Sequence, residues 1–309
     1  MKVLVLGGKR YMGKRAVAQL LADGAQVTLL SRGIDANPFG RAVQEIIVDR
    51  CDEARVAALV SGHHWTAVLD QTGYDVRAAE IAAKHILPRT DHYVFASSVV
   101  VYGDGIGLKE SDFSPATWTP PKDTSAPDYA DMKRISEFRL MQSAPEKVTV
   151  LRFPIVLGED DYTGRLEAHI LATLRGLPLQ VNDPGILVSF VRSEDAARAL
   201  VFALKKAAPL GPLNIASPDP ISLAELQALI EEAVQKHRPN GRSDREPLEK
   251  EGGEVQPASS PFDWGANRTM EVRKALSLGF QIEPMKNWLP PLVQLLTERL
   301  IHQERSGSN

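Results

Sequence analysis

The feature that most constrains the fold is the start of the chain, where a short apolar strand, a glycine turn and a helix follow one another. Residues 2–6 read KVLVL, a run rich in β-branched residues that Gly7 interrupts. The apolar residues of 14–23 recur on one stripe, which predicts a helix that Gly24 ends. This order of elements is typical of a dinucleotide-binding site, in which the helix N-terminus faces the pyrophosphate.

The turn itself carries the residues expected to contact such a cofactor. Its spacing is Gly7-x-x-Arg10-x-x-Gly13, so an arginine replaces the middle glycine of the common fingerprint. Gly7 is expected to permit the tight turn, and Gly13 to let the helix approach the sheet. We therefore assign Gly7, Arg10, Tyr11, Met12 and Gly13 to cofactor binding. A glycine turn without a ligand is the alternative, but its position at the first strand–helix junction favours a nucleotide site.

Strands and helices alternate along the chain. Beyond the first strand and helix, apolar runs predict strands at 25–31, 44–49, 66–71, 92–98 and 148–153, and helical patterns predict helices at 52–61, 75–86, 129–143, 165–175, 193–206 and 222–237. This alternation predicts an α/β fold with a Rossmann-type, doubly wound parallel sheet. We assign residues 1–155, with 185–215 returning, to an NAD(P)-binding domain, and residues 156–184 and 216–309 to a smaller C-terminal substrate-binding lobe.

Three segments interrupt this pattern. Residues 103–128 contain repeated glycines and prolines and are interpreted as a long loop over a site. Residues 238–261 are polar and rich in proline, glycine and glutamate, which predicts a surface excursion. Residues 260–265, SPFDWG, are expected to line a pocket.

The ends of the second and third strands bear on the choice between NAD and NADP. An NAD site usually has an acidic residue at the end of the second strand, whereas this chain has Ser31 followed by Arg32. Ser31 does not repel a 2′-phosphate, and Arg32 can pair with one through two hydrogen bonds. The pattern favours NADP over NAD, with a solvated arginine as the alternative. Asp49 is expected either to accept a hydrogen bond from the adenine amine or to cap a helix.

A second group of residues fits proton and hydride transfer. Tyr129 and Lys133 are four residues apart in YADMK and share one helix face. A lysine ammonium near the phenol is expected to lower the tyrosine pKa, which suits proton exchange with a carbinol or carbonyl. The strand that ends in Ser97 and Ser98 brings a hydroxyl to the carboxyl edge of the sheet, where ligands bind. We assign Ser98, Tyr129 and Lys133 as the catalytic group, with Tyr129 and Lys133 also contacting the cofactor.

The segment DQTGYD follows another predicted strand near the expected nicotinamide ribose. Thr72 and Gly73 are therefore assigned to the cofactor through their backbones, and Tyr74 to the substrate.

The motifs GGKRYMG, FASSVVVYG and YADMK, in that order, make the chain resemble an extended or atypical short-chain dehydrogenase/reductase, similar to NAD-dependent epimerases and dehydratases. The C-terminal segments VLRFPIVLG, FVRSEDAARALVFAL and EVRKALSLGF are similar to the family's substrate-lobe signatures. The resemblance identifies Ser98, rather than Ser97, as the catalytic serine, and assigns Val99 and Val100 to the substrate and Pro154 to the cofactor. The Gly-Gly-x-x-x-x-Gly turn resembles a subgroup that includes sugar epimerases or dehydratases, reductases and chloroplast stem-loop RNA-binding proteins.

Departures from the family pattern narrow the chemistry that the resemblance implies. Val99 and Val100 stand where sugar-nucleotide dehydratases carry Asp-Glu, so elimination of water by that mechanism is not expected. Val188 replaces an arginine that holds the diphosphate in many epimerases, and Val76 lies near the place of the usual asparagine. These differences favour an NAD(P)-dependent oxidoreductase or epimerase whose carbinol or carbonyl substrate, a sugar or a natural product, need not be a nucleotide sugar.

Two other functions, RNA binding and cofactor sensing without turnover, fit the sequence less well than an enzyme does. An RNA-binding or RNA-processing protein would need a basic face and stacking aromatic residues, whereas the net charge is −3 and aromatic residues make up 6%. A cofactor sensor without turnover would have no use for all three catalytic side chains. The single cysteine, Cys51, excludes an intrachain disulfide, and no apolar stretch approaches a membrane span. We expect a cytoplasmic protein with a small-molecule substrate, no nucleic acid, membrane or metal partner, and a homodimer by analogy with the family.

Overall fold

The computed structural model describes residues 1–121, 126–177, 179–237 and 258–306. A seven-stranded sheet forms its centre, in the order β12-β7-β5-β4-β1-β2-β3, and every neighbouring pair is parallel. The strands are β1 (Lys2–Leu6), β2 (Gln26–Ser31), β3 (Gln44–Ile47), β4 (Trp65–Asp70), β5 (Thr90–Ser98), β7 (Val148–Phe153) and β12 (Gly211–Asn214). The predicted Rossmann-type, doubly wound parallel sheet is confirmed.

Helices cover both faces of this sheet, because successive residues of a strand point to opposite sides. Val3 and Val5 of β1 pack in a core with residues of α1 and α6, whereas Leu4 and Leu6 pack in another with residues of α2, α3 and α4. These helices are α1 (Tyr11–Ala22), α2 (Glu53–Val60), α3 (Val76–Ile81), α4 (Tyr129–Ser143) and α6 (Ser193–Leu204). A five-residue π-helical turn, Ala82–Ile86, extends α3. The apolar runs are therefore buried on both sides, as parallel strands require.

A third apolar core lies among elements of the second half of the chain and includes Leu166, Phe190, Ile230 and Trp288. The helices of this half are α5 (Arg165–Leu174), α7 (Leu223–Lys236), α8 (Arg273–Ser277) and α9 (Met285–Ser306). Its short strands are β8 (Ile155–Leu157), β9 (Leu179–Gln180), β10 (Leu187–Val188), β11 (Phe190–Arg192), β13 (Ile221–Ser222), β14 (Ala258–Ser259) and β15 (Arg268–Met270). None of the described helices is both long and apolar enough to cross a membrane.

One expectation about irregular segments was wrong, and a second fails for Phe262 and stays a prediction for the other residues of 260–265. Residues 103–128 are not one continuous loop in their described part, because β6 (Gly105–Leu108) pairs in parallel with β15. Phe262 of the SPFDWG segment does not line a pocket. Its ring is fully buried against His169 and Phe190, where an apolar side chain contributes to the core. The predicted excursion at 238–261 lies mostly outside the described residues.

Candidate active site

The topology places a cleft at the point where the chain reverses direction across the sheet. From β1 the chain passes to β2 on one side, and later to β4 on the other side. Loops that leave the carboxyl ends of such strands diverge, and ligands of open α/β sheets bind in the crevice between them. Here the crevice is a cleft of about 570 Å³. Its walls include these residues assigned from the sequence: Gly7, Arg10, Tyr11, Met12, Gly13, Ser31, Arg32, Asp49, Thr72 and Tyr74.

The glycine turn has the geometry that an anionic pyrophosphate requires. Gly7 adopts a φ of 96°, which only glycine adopts without strain, and a Cβ there would lie 2.8 Å from the Thr72 side chain. At Gly13 a Cβ would lie 2.6 Å from the amide of Gln71. Arg10 precedes α1 and makes no side-chain cap, and the first turn of the helix contains no acidic residue. The first backbone N–H groups of α1 therefore face the cleft without a capping side chain, which fits a bound anion.

Tyr11 and Met12 connect this turn to the rest of the protein. Tyr11 has a φ of 51°, and its hydroxyl donates a hydrogen bond of 2.8 Å to the carbonyl of Val156. Met12 is half-buried against the core beneath the sheet. Tyr162 packs edge-on against the Tyr11 ring with centroids 6.0 Å apart, and it also lines the cleft. The segment that carries Tyr162 therefore lines one side of the predicted pyrophosphate site.

The end of the cleft at β2, here called the adenosine end, is a network of charged side chains that sequence reasoning only partly identified. The Ser31 hydroxyl donates a hydrogen bond of 2.7 Å to Glu45, which also forms an ion pair with Lys9. Arg10 pairs with Asp35. Arg32 is exposed and forms no ion pair within the described part of the chain. Lys9 and Glu45 were missed because they become neighbours only when β3 pairs with β2.

The floor of the cleft contains a buried charged group that the sequence did not indicate. Asp70, 1% exposed, accepts two hydrogen bonds from the Arg50 guanidinium, at 2.7 and 2.8 Å. The Tyr93 hydroxyl donates to the same carboxylate at 2.6 Å, and the Thr72 backbone N–H donates at 3.1 Å. Burial favours protonation of Asp70, but Arg50 outweighs it and holds the pKa of the carboxyl below its ordinary value. Asp49 lies nearby, where it accepts from Cys51 N–H at 2.9 Å rather than capping a helix.

The three side chains assigned to catalysis come together at the carboxyl end of β5. Ser98 is the last residue of β5, and Tyr129 is the first residue of α4. Ser98 lies close enough to the Tyr129 hydroxyl to act on its pKa. Burial raises the pKa of Tyr129, although Ser98 and Arg165 act to lower it. The expected lowering of this pKa by Lys133 is therefore wrong for the described structure, because desolvation of the phenol dominates.

Lys133 lies one helical turn beyond Tyr129 and is 2% exposed. Its ammonium donates a hydrogen bond of 2.9 Å to the carbonyl of Ala96. Burial lowers its pKa to about 8, Asp70 and Glu137 act to raise it, and Arg50 acts to lower it. The amine therefore begins to lose its proton close to neutral pH, in a range where an enzyme uses such a group.

The two neighbouring serines have different partners. The Ser97 hydroxyl donates a hydrogen bond of 2.5 Å to Glu137, a fully buried carboxylate that also pairs with Arg152 at 2.6 Å. Ser98 instead faces Tyr129. The choice of Ser98 over Ser97 as the catalytic serine stays a prediction. The Ser97–Glu137–Arg152 group ties β5 to α4 and β7.

The remaining assigned residues lie around this centre. Val99 is buried in the core, and Val100 is half-buried in the turn that follows β5. Gly73 lies against the ring of Phe95, and Pro154 is buried between β7 and β8. None of these four lines the cleft, so their contacts with a substrate or cofactor stay predictions. Within the described residues, no three His, Cys, Asp or Glu side chains form a group that could hold a metal ion.

Solved structures share this fold. The UDP-glucose 4-epimerase of Thermotoga maritima has a TM-score of 0.73 and is 18% identical, over 98% of this chain and 99% of that chain. The UDP-glucose 4-epimerase of Thermus thermophilus, solved as a complex with NAD, has a TM-score of 0.68 and is 22% identical, over 96% of this chain and 98% of that chain. At these identities the likeness establishes the fold.

Sequence comparison adds a relative and a family. The chloroplast stem-loop binding protein of 41 kDa b of Arabidopsis thaliana is 26% identical over 201 residues, which span 61% of this chain and half of that relative. The family model described as the NAD dependent epimerase/dehydratase family matches residues 3–216, a range that contains the glycine turn and the Ser98–Tyr129–Lys133 group. The resemblance inferred from the motifs is confirmed, and the chain belongs to the NAD dependent epimerase/dehydratase family.

Proposed function

We propose that this protein is an NAD(P)-dependent oxidoreductase or epimerase that interconverts a carbinol and a carbonyl on a small-molecule substrate. The observation that carries the proposal is the grouping of Ser98, Tyr129 and Lys133 at the carboxyl edge of the sheet, with the Lys133 ammonium 5.9 Å from the centroid of the Tyr129 ring. Membership of the NAD dependent epimerase/dehydratase family supports it. The dinucleotide cleft lies at the same edge of the sheet, and the stacked rings of Tyr74 and Tyr129 join the two.

Different residues would bind the cofactor, transfer the proton and orient the substrate. Gly7, Gly13 and the amino end of α1 would hold the pyrophosphate, and Thr72 would lie near the nicotinamide ribose. The bound dinucleotide would supply the acceptor or donor of hydride. The Tyr129 hydroxyl would take a proton from the substrate oxygen on oxidation and return it on reduction. Ser98 would orient that oxygen by a hydrogen bond, and Lys133 would contact the bound cofactor.

Replacement of Tyr129 by Phe tests the proposal. We expect turnover to fall about 10²–10⁴-fold, because the ring remains and the proton donor is lost. The dissociation constant of the cofactor and the unfolding midpoint should stay close to those of the parent protein. Unchanged turnover in Tyr129→Phe would contradict the catalytic assignment. If the variant instead lost cofactor affinity as strongly as it lost turnover, Tyr129 would have a structural role.

For the cofactor itself, we propose a preference for NADP over NAD. Arg32 supports it, because this exposed side chain lines the adenosine end and has no ion pair among the described residues. Arg10 and Lys9 add positive charge there, while Glu45 offsets part of it. Titration with NADPH and NADH tests the preference, and we expect NADPH to bind at least tenfold more tightly, or about 1.4 kcal/mol. Tighter binding of NADH would overturn the NADP preference and leave the family assignment intact.

The state of the purified protein separates an epimerase from a reductase. An epimerase returns its hydride within one catalytic cycle, so it can retain one oxidised dinucleotide. A reductase must exchange its cofactor at every turnover. Mass spectrometry of the denatured protein would reveal retained NAD and favour the epimerase, whereas empty protein with micromolar NADPH affinity would favour the reductase.

RNA binding is the second candidate, and the name of the Arabidopsis relative is the observation in its favour. The net charge of −3 opposes it, because general affinity for RNA needs clustered positive charge. Gel-shift assays with a stem-loop RNA should show no binding at 150 mM salt. Binding of RNA together with absence of dinucleotide binding would bring this candidate forward.

We further propose a nucleotide-binding domain at 1–155 with 185–215, and a substrate lobe at 156–184 and 216–309. The apolar core around Leu166, Ile230 and Trp288 supports a separate lobe, and Ile186, Val188 and Phe190 of the returning segment pack in that core too. A homodimer and a cytoplasmic location complete the proposal. Analytical ultracentrifugation and cell fractionation, respectively, test them.

A further inference from the structure

The ammonium of Lys133 is held mainly by aromatic rings. Its Nζ lies 4.6 Å from the centroid of Tyr74, 4.9 Å from that of Phe95 and 5.9 Å from that of Tyr129. The one hydrogen bond that it donates within the described residues goes to the Ala96 carbonyl. An ammonium has three N–H donors, so two of them point to no oxygen there. The faces of aromatic rings are therefore the main partners of this buried charge.

The sequence around Gly73 brings the Tyr74 ring into this arrangement. A Cβ at Gly73 would lie 2.3 Å from the Phe95 ring, so only glycine lets the backbone pass this close to that ring. The next residue, Tyr74, then lies over Lys133. Its ring stacks on Tyr129 with centroids 6.2 Å apart and an interplanar angle of 27°. The Tyr74 side chain as a whole is half-exposed, at 49%.

Charged groups on several elements surround Lys133. Asp70, at the end of β4, and Glu137, on the same helix as Lys133, favour the charged amine, whereas Arg50, which follows β3, opposes it. Asp70 and Glu137 are each bound by an arginine of their own, Arg50 and Arg152. Part of their attraction for Lys133 is therefore offset. The aromatic ring faces also attract the Lys133 ammonium, and no arginine is paired with them to weaken that attraction.

We propose that Tyr74 is a positioning residue, whose ring holds the Lys133 ammonium in its charged form beside the Tyr129 ring. Val76 lies near the place of the family's usual asparagine, and Tyr74 precedes it by two residues. The proposal concerns a contact within the protein. Its consequence for turnover rests on the proposed function of Tyr129 and Lys133.

Two variants of Tyr74 separate the ring face from the hydroxyl. Tyr74→Leu keeps an apolar side chain and removes the ring face, whereas Tyr74→Phe keeps the ring and removes the hydroxyl. The pKa of Lys133 is measured in the dinucleotide-free protein by NMR of ¹³C-labelled lysine, with the Lys133→Arg variant to identify the resonance. We expect Tyr74→Leu to lower the pKa by about half to one pH unit, and Tyr74→Phe to leave it within about 0.2 units.

The pH profile of turnover gives the second readout. The alkaline limb of kcat should move to lower pH in Tyr74→Leu by the same amount as the NMR value, and it should not move in Tyr74→Phe. A general loss of packing would lower kcat at every pH without moving that limb. An unchanged or raised Lys133 pKa in Tyr74→Leu would overturn the proposal, and so would equal shifts in the two variants.

The NMR measurement keeps this proposal separate from the proposed function. A lowered Lys133 pKa in Tyr74→Leu, combined with full activity of Tyr129→Phe, would support the contact and reject the catalytic assignment. An inactive Tyr129→Phe with an unchanged Lys133 pKa in Tyr74→Leu would support the catalytic assignment and reject the contact between Tyr74 and Lys133.

Discussion

The two ends of the site are built in different ways. At the catalytic end, the buried group beside the cleft that contains Lys133 and Asp70, these two side chains are 2% and 1% exposed. At the adenosine end, the side chains of the Arg10–Asp35 ion pair are 60% and 37% exposed. Both ends bring charged groups to the carboxyl edge of the same sheet. They differ in how much water reaches those groups.

This difference predicts how each end responds to substitution. A buried charge that loses its partner keeps the cost of its desolvation, so the catalytic end depends on every member of its network. An exposed pair exchanges its partner for water, and each contact contributes little to stability. The catalytic end is therefore fixed by the fold, whereas the adenosine end can change its preference for a cofactor at small cost.

The buried pair of Arg50 and Asp70 offers the largest expected effect on stability. Asp70→Asn keeps the shape of the side chain and removes its charge, which leaves the Arg50 guanidinium without a counter-ion beneath the cleft. We expect the free energy of unfolding to fall by about 3 kcal/mol, the low end of the range for breaking a buried pair, because the amide can still hydrogen-bond. Urea denaturation followed by circular dichroism measures it.

The double variant Asp70→Asn with Arg50→Met serves as the control for this prediction. Removing both charges should recover part of the loss, since the Arg50 guanidinium is then no longer left without its counter-ion. A loss below about 1 kcal/mol in Asp70→Asn would mean that water reaches this pair. The contrast between the two ends would then be wrong.

Sequence reasoning identified the groups whose spacing along the chain is short. Tyr129 and Lys133 share a helix face because they are four residues apart, and α4 spans the predicted 129–143. Gly7 and Gly13 belong to one strand–turn–helix unit, although α1 begins at Tyr11, three residues before the prediction. In both cases the local pattern of the sequence determines the geometry.

The groups that were missed depend on contacts between distant parts of the chain. Arg50 meets Asp70 because β3 and β4 end at the same edge of the sheet, with β1 and β2 between them. Glu45 meets Ser31 through the pairing of β3 with β2. The position of Tyr74 over Lys133 depends on the contact of Gly73 with Phe95, which lies on the next strand of the chain, β5. Periodicity and motif spacing carry no information on such pairs.

At the adenosine end, replacement of Arg32 tests cofactor selectivity. Arg32→Ala should weaken NADPH binding about tenfold, or about 1.4 kcal/mol, because it removes a cation expected to pair with the 2′-phosphate. NADH affinity should stay within about twofold, since that cofactor lacks the phosphate. Isothermal titration with both cofactors measures the ratio. Equal weakening of both would assign Arg32 to a contact that the two cofactors share, and would remove it as the source of selectivity.

The smallest expected effect concerns Asp35, which pairs with Arg10 at the exposed rim of the adenosine end. Asp35→Asn should change the free energy of unfolding by less than about 1 kcal/mol, because both side chains are open to water. The same substitution frees the Arg10 guanidinium, so NADPH should bind a few-fold more tightly while NADH does not. Lys9, which donates to the backbone carbonyl of Asp35, keeps its partner in this variant. If Asp35→Asn lost as much stability as Asp70→Asn, the exposed rim would be as constrained as the catalytic end. The proposed difference between the two ends would then be wrong.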